Sequence, residues 1–159
     1  MRTAVFPGCF DPVTLGHLDI IIRCTHLFDE VHVCILENQK KSGHLFTLEQ
    51  RLRFLRGETE GMENVSIHSY DGLVTDYARE VPGAVLIRGL RAVTDFDYEF
   101  PMALINKKLN PGVETMFMVA DDKYTFLSSS MVRELAHYGA KLSCFVPPNV
   151  ETAIKGMQF

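Results

Sequence analysis

A glycine-containing segment that ends in a histidine is the first place where the residue types suggest chemistry. Residues 6–17 read F-P-G-C-F-D-P-V-T-L-G-H and join an apolar run to a segment with helical periodicity. Gly8 lets an anion approach the backbone, and Gly16 leaves the start of the helix open. His17 falls in the first helical turn, where free N–H groups and the helix dipole favour phosphate. A tight turn with a surface histidine would explain the glycines alone, but the Gly-His pair favours a phosphate site.

Two arginines follow an apolar run later in the chain, in the stretch R-G-L-R-A-V-T-D-F-D-Y-E. Arg88 is expected at the end of a buried strand, and Arg91 comes three residues later, past a glycine. Guanidinium groups in this position can bind phosphate through pairs of parallel hydrogen bonds. The alternative is two solvated arginines paired with Asp95 or Asp97, in which case Glu99 could simply be helix surface.

Three consecutive serines begin a predicted helix in the stretch Y-T-F-L-S-S-S-M-V-R-E, residues 124–134. Serine hydroxyls together with a helix N-terminus form an anion site. Because serines are also common helix caps, this segment supports the phosphate interpretation without carrying it.

Strand-like and helix-like segments alternate along the chain, which is typical of a parallel sheet with helices on both faces. Pro7-Gly8 is expected to end the first strand, and a capping box at residues 47–50 to open a helix. We predict strands at residues 3–6, 31–36, 65–70, 84–87 and 114–119. One helix is predicted to have His17 in its first turn, another to follow the cap at residue 47, and the others to cover 73–80, 96–109, 128–138 and 149–157. The result is one doubly wound, Rossmann-like α/β domain over residues 1–159 with a five-stranded parallel sheet. Ligands of such sheets bind beyond the carboxyl ends of the strands, where the three segments should meet.

The composition excludes several classes of protein. Sixteen Lys and Arg against twenty Asp and Glu give a net charge of −4, which opposes a broad nucleic-acid-binding surface. The four cysteines include no C-x-x-C pair and the six histidines lack ligand spacing, so we expect neither disulfides nor a structural metal. The apolar runs are shorter than a membrane span and no basic-then-apolar leader opens the chain, so a cytoplasmic protein that contacts no membrane is expected.

Taken together, the three segments closely resemble those of bacterial phosphopantetheine adenylyltransferases, a family of the nucleotidyltransferase superfamily that carries a [T/H]-x-G-H motif. Thr14-Leu15-Gly16-His17 matches that superfamily motif, and the Arg88–Glu99 stretch is far more specific to the one family. The similarity runs from Phe6 to about Val150. It implies the reaction of ATP with 4′-phosphopantetheine to give dephospho-coenzyme A and pyrophosphate, with Mg²⁺ carried by ATP.

The resemblance also implies roles for individual residues. His17, Lys41 and Arg91 would act in catalysis: His17 near the α-phosphate, Arg91 on the ATP phosphates and Lys41 between the reacting groups. Arg88 would bind the phosphate of phosphopantetheine. By position, ATP is bound by Cys9, Phe10, His17, Gly89, Leu90, Arg91, Glu99, Tyr124, Thr125, Phe126, Leu127, Ser128, Ser129 and Ser130, and 4′-phosphopantetheine by Cys9, Lys41, Val74 and Arg88; no side chain is implied as a metal ligand. A homohexamer inhibited by coenzyme A is implied in the same way.

Two positions depart from the family pattern. The family usually has Thr or Ser where this chain has Cys9, which replaces a strong hydroxyl donor by a weak thiol donor. The loop before Phe46 is one residue longer than expected, so Lys40 could take the place of Lys41.

The residue types suit a reaction that needs no general base. A phosphate monoester has a second pKa of about 6 and is mostly ionised at neutral pH. The reaction therefore requires two anions held in line and stabilisation of the charge on the leaving pyrophosphate. Two alternatives remain: another nucleotidyltransferase, of the nicotinate-mononucleotide adenylyltransferase or cytidylyltransferase type, and a nucleotide-binding protein without turnover.

Overall fold

Five strands alternate with six α-helices in the computed structural model, which describes residues 1–37 and 43–157. The elements of the described residues are β1 (Thr3–Gly8), α1 (Leu15–Thr25), β2 (Glu30–Leu36), α2 (Leu48–Glu58), β3 (Val65–Tyr70), α3 (Val74–Glu80), β4 (Ala84–Leu90), α4 (Val93–Leu109), β5 (Glu114–Val119), α5 (Ser129–His137) and α6 (Pro148–Lys155). A short 3₁₀ turn, Asp122–Tyr124, precedes α5. None of these helices is long and apolar enough to cross a membrane.

The five strands form one all-parallel sheet in the order β3-β2-β1-β4-β5. The chain builds outward from β1 through β2 to β3 and then returns to place β4 on the other side of β1. The strand order therefore reverses between β1 and β4, and the crevice beyond their carboxyl ends is the expected ligand position in such a sheet. The predicted doubly wound, Rossmann-like fold is confirmed.

Side chains alternate between two apolar layers along the central strands. Val5 and Leu86 pack with Tyr77 of α3 on one face, whereas Phe6 and Ile87 belong to the larger cluster on the other face, which also includes residues of α1, α2, α5 and α6. This alternation follows from the two-residue period of a strand and explains why the central strands are apolar throughout.

Helix α4 differs from the other long helices because none of its residues is buried. It lies against β4 and β5 and leaves large apolar side chains in solvent. These exposed residues are Val93, Phe96, Tyr98, Phe100, Met102, Leu104, Ile105 and Leu109.

Several element boundaries differ from those predicted. Strand β1 does not stop at Phe6, because Pro7 and Gly8 still pair with Cys34 and Ile35 of β2 and form its last two residues. Strand β4 likewise continues to Leu90, so Arg88 lies within the strand rather than at its end. Helix α4 begins three residues early, at Val93, and α6 begins at Pro148, a favoured first helical residue.

Candidate active site

A cavity of about 250 Å³ lies beyond the carboxyl ends of β1 and β4. All three segments singled out in the sequence contribute to its walls. The predicted residues that line it are Phe10, His17, Arg88, Gly89, Arg91, Glu99, Leu127, Ser128 and Ser129. The cavity therefore brings together one imidazole, two guanidinium groups and the N-termini of α1 and α5.

His17 is fixed in orientation by the residue that caps α1. The Thr14 N–H donates to Nδ1 of His17 at 3.1 Å, and the Thr14 hydroxyl oxygen lies 3.0 Å from the same nitrogen. In return, the His17 N–H donates to Oγ1 of Thr14 at 3.3 Å. Because a backbone N–H is always a donor, Nδ1 must be the unprotonated nitrogen. The neutral imidazole then carries its proton on Nε2 and can donate it to a ligand.

The surroundings of His17 keep the imidazole neutral. Burial, together with the nearby positive charge of Arg91, lowers its pKa from 6.5 to about 4. A bound polyanion would act against the Arg91 charge and raise the pKa. His17 thus offers a hydrogen bond without a proton that is readily transferred, which suits charge stabilisation rather than acid–base catalysis.

Arg88 is bound on two sides. Its Nε and Nη2 donate to the two carboxylate oxygens of Glu99 at 2.6 and 2.7 Å, and Nη1 donates to the Pro7 carbonyl oxygen at 3.2 Å. Two of the five guanidinium N–H groups remain for a ligand. The alternative from the sequence was that the two arginines pair with Asp95 or Asp97, and of these pairs, all within the described residues, the structure shows only Arg91 with Asp95. The structure instead assigns Arg88 to Glu99, which is a wall of the cavity and not plain helix surface.

Arg91, three residues after Arg88, is also held by one carboxylate and one backbone carbonyl oxygen. Its Nε and Nη2 donate to the carboxylate of Asp95 at 2.9 and 3.0 Å, and Nη1 donates to the Leu127 carbonyl oxygen at 2.9 Å. Burial alone would raise the pKa of Asp95, but the hydrogen bonds from Arg91 outweigh it and hold this pKa below its usual range. The carboxylate therefore stays charged and fixes the guanidinium, again leaving two N–H groups for a ligand.

Two helix N-termini add backbone donors to the cavity wall. Ser128 caps α5 through its hydroxyl, which accepts from the Met131 N–H at 3.1 Å. The hydroxyl of Ser129 donates to the Pro12 carbonyl oxygen at 2.8 Å and joins α5 to the loop before α1. Within the described residues, the N–H groups of Gly16 and Ser129 have no acceptor, and both residues line the cavity. Free donors at two helix N-termini are a suitable cradle for phosphate.

Gly89 of β4 lies directly against the side chain of Ile20 of α1. A Cβ atom at this position would lie 2.5 Å from Cδ1 of Ile20, which is closer than real contacts allow. The absence of a side chain lets α1 approach β4, so that His17 on α1 and Arg88 on β4 face one cavity.

Asp11 was not singled out from the sequence, although it binds a second segment to the site. Its buried carboxylate accepts from the N–H groups of Leu45 and Phe46 at 2.8 and 2.9 Å, and His44 lies 3.3 Å away through Nδ1. The residues just before α2 are thus attached to the loop after β1. An acidic residue directly before a proline, three residues after Gly8, was the available signal.

A second, smaller cavity of about 160 Å³ adjoins the first. Pro7, Arg88 and Glu99 line both cavities, so the Arg88–Glu99 pair stands between them. The rest of its wall is partly apolar and partly amide: Leu36, Val74, Leu86, Tyr98, Met102, Ala103, Asn106 and Thr115. Val74, predicted to contact an acceptor substrate, lies here rather than in the first cavity.

Several predicted residues are not in the wall of either cavity. These are Cys9, Leu90, Tyr124, Thr125, Phe126 and Ser130, and the side chain of Phe126 is 86% exposed. Cys9 is exposed, and its carbonyl oxygen accepts from Arg51. Lys40 and Lys41 lie outside the described residues. The roles assigned to all these residues stay predictions.

Comparison with known proteins gives one family and a consistent set of folds. The family model described as Cytidylyltransferase-like matches residues 5–135. A structure of a putative nicotinate-nucleotide adenylyltransferase from Vibrio parahaemolyticus is similar with a TM-score of 0.66 and 18% identity, over 98% of this chain and 100% of that one.

Two structures of a bifunctional NMN adenylyltransferase/ADP ribose pyrophosphatase from Francisella tularensis are also similar. One is a complex with AMP and a manganese ion, and the TM-scores are 0.71 for the complex and 0.73 for the other structure. Both are 15% identical over 99% of this chain, which spans half of the Francisella chain. At such identities the likeness concerns the fold alone.

Proposed function

Since the chain belongs to the cytidylyltransferase-like family of the nucleotidyltransferase superfamily, we propose that it transfers the adenylyl group of ATP to 4′-phosphopantetheine. The products are dephospho-coenzyme A and pyrophosphate. The superfamily supports nucleotidyl transfer in general, and the choice of acceptor rests on the Arg88–Glu99 stretch and on what surrounds Arg88.

The position of Arg88 between two cavities carries this proposal. The first cavity holds His17, Arg91 and two helix N-termini, a set of donors suited to a triphosphate. The second is smaller and lined by Val74, Met102 and the amide of Asn106, which suits a chain of methylene and amide groups. Arg88, on the wall between them, would bind the phosphate at the end of that chain. The acceptor phosphate then lies beside the α-phosphate of ATP.

The reaction proceeds by direct attack in this geometry. An oxygen of the acceptor phosphate attacks the α-phosphorus, and the bond from this phosphorus to the oxygen bridging to the β-phosphate breaks as pyrophosphate leaves. The acceptor is already ionised, so no side chain has to remove a proton. His17 donates from Nε2 to the reacting phosphate, and Arg91 stabilises the charge that moves to the leaving group. We assign Lys41, or Lys40, to the bridging position implied by the resemblance.

A divalent cation is proposed to accompany the nucleotide. Among the described residues no group of three or more His, Cys, Asp and Glu side chains could hold a metal ion, and Asp95 and Glu99 are both engaged by arginines. The lining of the cavity therefore fits a metal ion that is held mainly by the phosphates of the nucleotide. Mg²⁺ is the usual ion in that role. The cation would neutralise charge on the triphosphate. The structure of the Francisella protein with AMP and a manganese ion supports a divalent ion together with a nucleotide.

Nicotinate mononucleotide is the second candidate acceptor, because the neighbouring structures are named as nicotinate-nucleotide and NMN adenylyltransferases. The two candidates differ in the part that follows the phosphate, which is a flexible chain in phosphopantetheine and a ribosyl pyridine in the nucleotide. The apolar and amide side chains that line the second cavity favour the chain.

The proposal is tested by following pyrophosphate release from Mg·ATP with 4′-phosphopantetheine, with nicotinate mononucleotide, and with neither. Release that depends on phosphopantetheine alone is expected. Release with nicotinate mononucleotide instead would move the chain to the second candidate. If ATP binds and neither acceptor promotes release, Cys9→Thr is the variant to make, because it restores the hydroxyl usual in the family.

We also propose that the chain forms homo-oligomers through α4, with the hexamer and inhibition by coenzyme A implied by the resemblance. The exposed apolar side chains of this 17-residue helix support an intersubunit contact.

A further inference from the structure

The backbone between β1 and α1 is held by side chains from other parts of the chain. The Cys9 carbonyl oxygen accepts from Nη1 of Arg51 at 2.8 Å, and the Asp11 carbonyl oxygen accepts from Nη1 of Arg133. Between them, Phe10 has a φ of 46°, a left-handed conformation that is unfavourable for a residue with a side chain. The surrounding donors therefore impose a backbone shape that the loop would not adopt alone.

Arg51, on α2, is a buried arginine. It is only 4% exposed, and its Nε is buried without a hydrogen-bond partner. None of the ion pairs among the described residues includes Arg51. A buried cation without a counterion is costly, and a neutral side chain could equally donate to a carbonyl oxygen. The hydrogen bond to the Cys9 carbonyl oxygen therefore does not explain why this residue carries a positive charge.

The peptide that Arg51 binds leads directly into the first cavity. In a trans peptide the C=O and N–H groups point in opposite directions. Arg51 binds the Cys9 carbonyl oxygen and so turns the Phe10 N–H away from α2. Phe10 is 2% exposed and lines the cavity, and its N–H has no acceptor among the described residues. Buried N–H groups are nearly always paired, so this donor is available for a ligand.

We propose that Arg51 is a positioning residue for the phosphates of the nucleotide. It holds the Cys9 carbonyl away from the bound phosphates, so that the Phe10 N–H donates to them, and the polyanion partly compensates its buried charge. This inference rests on the proposed nucleotide site but not on the identity of the acceptor. Arg51 acts through the Cys9–Phe10 peptide and does not contact the substrate itself.

The test compares ligands that share the adenosine part and differ in phosphate charge. The affinities of adenosine and ATP are measured by calorimetry for the unaltered protein, for Arg51→Gln and for the control Arg53→Gln, which removes an exposed arginine from the same helix. Arg51→Gln is expected to weaken ATP binding by roughly 10- to 100-fold and to leave adenosine binding within about twofold. Arg53→Gln should change neither affinity.

A merely structural role for Arg51 predicts a different result: equal losses for adenosine and ATP, or no loss for either, would overturn the proposal. If Arg51→Gln does not fold, NMR spectra of the N–H groups of the unaltered protein test the proposal instead. ATP, and not adenosine, must then shift the Phe10 N–H and the Arg51 Nε–H signals, and their failure to move with ATP would equally overturn it. Protein that does not bind ATP would contradict both this inference and the proposed function. If the protein binds ATP but releases no pyrophosphate with either acceptor, only the proposed function is contradicted.

Discussion

The Nδ1 atom of His17 lies 3.1 Å from the backbone nitrogen of Thr14, which donates to it. One contact therefore both caps α1 and decides which imidazole nitrogen carries the proton. The side chain of the third helical residue accepts the N–H of the cap residue, as Glu or Gln does in an ordinary capping box. His17 thus combines a structural role at Nδ1 with a donor at Nε2, and the two can be separated by substitution.

His17→Gln should keep the helix cap and lose catalysis. The amide oxygen of Gln can accept the Thr14 N–H as Nδ1 does now, so the free energy of unfolding should change little. We expect kcat to fall by about two decades or more, with a modest change in KM for ATP, because the lost interaction acts in the transition state. Steady-state pyrophosphate release and chemical denaturation measure the two effects.

His17→Ala provides the contrast, because it removes both functions. It should lose kcat to a similar extent and in addition destabilise the fold by about 1 kcal/mol, the usual contribution of a cap. A loss confined to KM in both variants would mean that His17 only binds ATP in the ground state.

The stability of the ligand-free protein should depend on pH through His17. Its pKa is lowered by burial from 6.5 to about 4, so between these pH values the unfolded chain binds a proton that the folded chain does not. The free energy of unfolding should therefore rise from pH 4 to about 6.5, with no further contribution above. Denaturant titrations across this range should show a smaller rise for His17→Gln. Equal slopes would contradict the lowered pKa of His17.

His68 contributes in the same direction, so the rise should not vanish in that variant. Burial and the neighbouring His32 lower the pKa of His68, and its proton is likewise bound more tightly in the unfolded chain. His68→Gln should remove a further part of the slope without affecting pyrophosphate release.

Glu99→Gln should impair the reaction by releasing Arg88. The carboxylate now accepts from both Nε and Nη2 of Arg88, and the Gln amide can accept only one of these bonds. We expect kcat to fall roughly 10- to 100-fold through misplacement of the acceptor phosphate. The control is Asp97→Asn, which removes one exposed charge from the same helix and should leave kcat unchanged. Equal effects in the two variants would assign the loss to net charge rather than to the orientation of Arg88.

Gly89→Ala should destabilise the protein through a single contact with α1. The new Cβ would lie 2.5 Å from Cδ1 of Ile20 and force that buried side chain to move, at a cost of about 1–3 kcal/mol. Ile20→Val removes the Cδ1 atom and should recover much of this loss when combined with Gly89→Ala. A double-mutant cycle by chemical denaturation measures the coupling, and strict additivity would rule out the contact as the cause.

Phe100→Lys should weaken the proposed self-association. Phe100 is exposed on α4 and stacks on Phe96, so a lysine would place a charge within the apolar surface. Sedimentation equilibrium should give an oligomer for the unaltered chain and smaller species for the variant. Leu27→Lys changes an exposed leucine after α1 and is expected to leave the mass unchanged. A monomeric unaltered chain would contradict the proposal.

The order of the elements, and the meeting of the three segments at one cavity, could be predicted from the sequence. Local periodicity was sufficient to assign strands and helices. A strand buried on both faces is apolar throughout, whereas a helix repeats its apolar face every three to four residues. The boundaries were less accurate where a neighbouring strand extends an element. Pro7 and Gly8 are turn residues by type, yet pairing with β2 keeps them in β1.

The sequence by itself determined which segments are candidates for the chemistry: the Gly-His motif before α1, the arginines after the apolar run of β4 and the serines at α5. Only the tertiary structure decided how their side chains are used. Arg88 pairs with Glu99, eleven residues away, and not with the nearer Asp95 or Asp97. The tautomer of His17 and the buried charge of Arg51 beside Cys9 were equally invisible in the sequence. Hydrogen bonds and burial depend on atoms that folding brings together from distant positions, whereas residue types and local spacing are present in the chain before it folds.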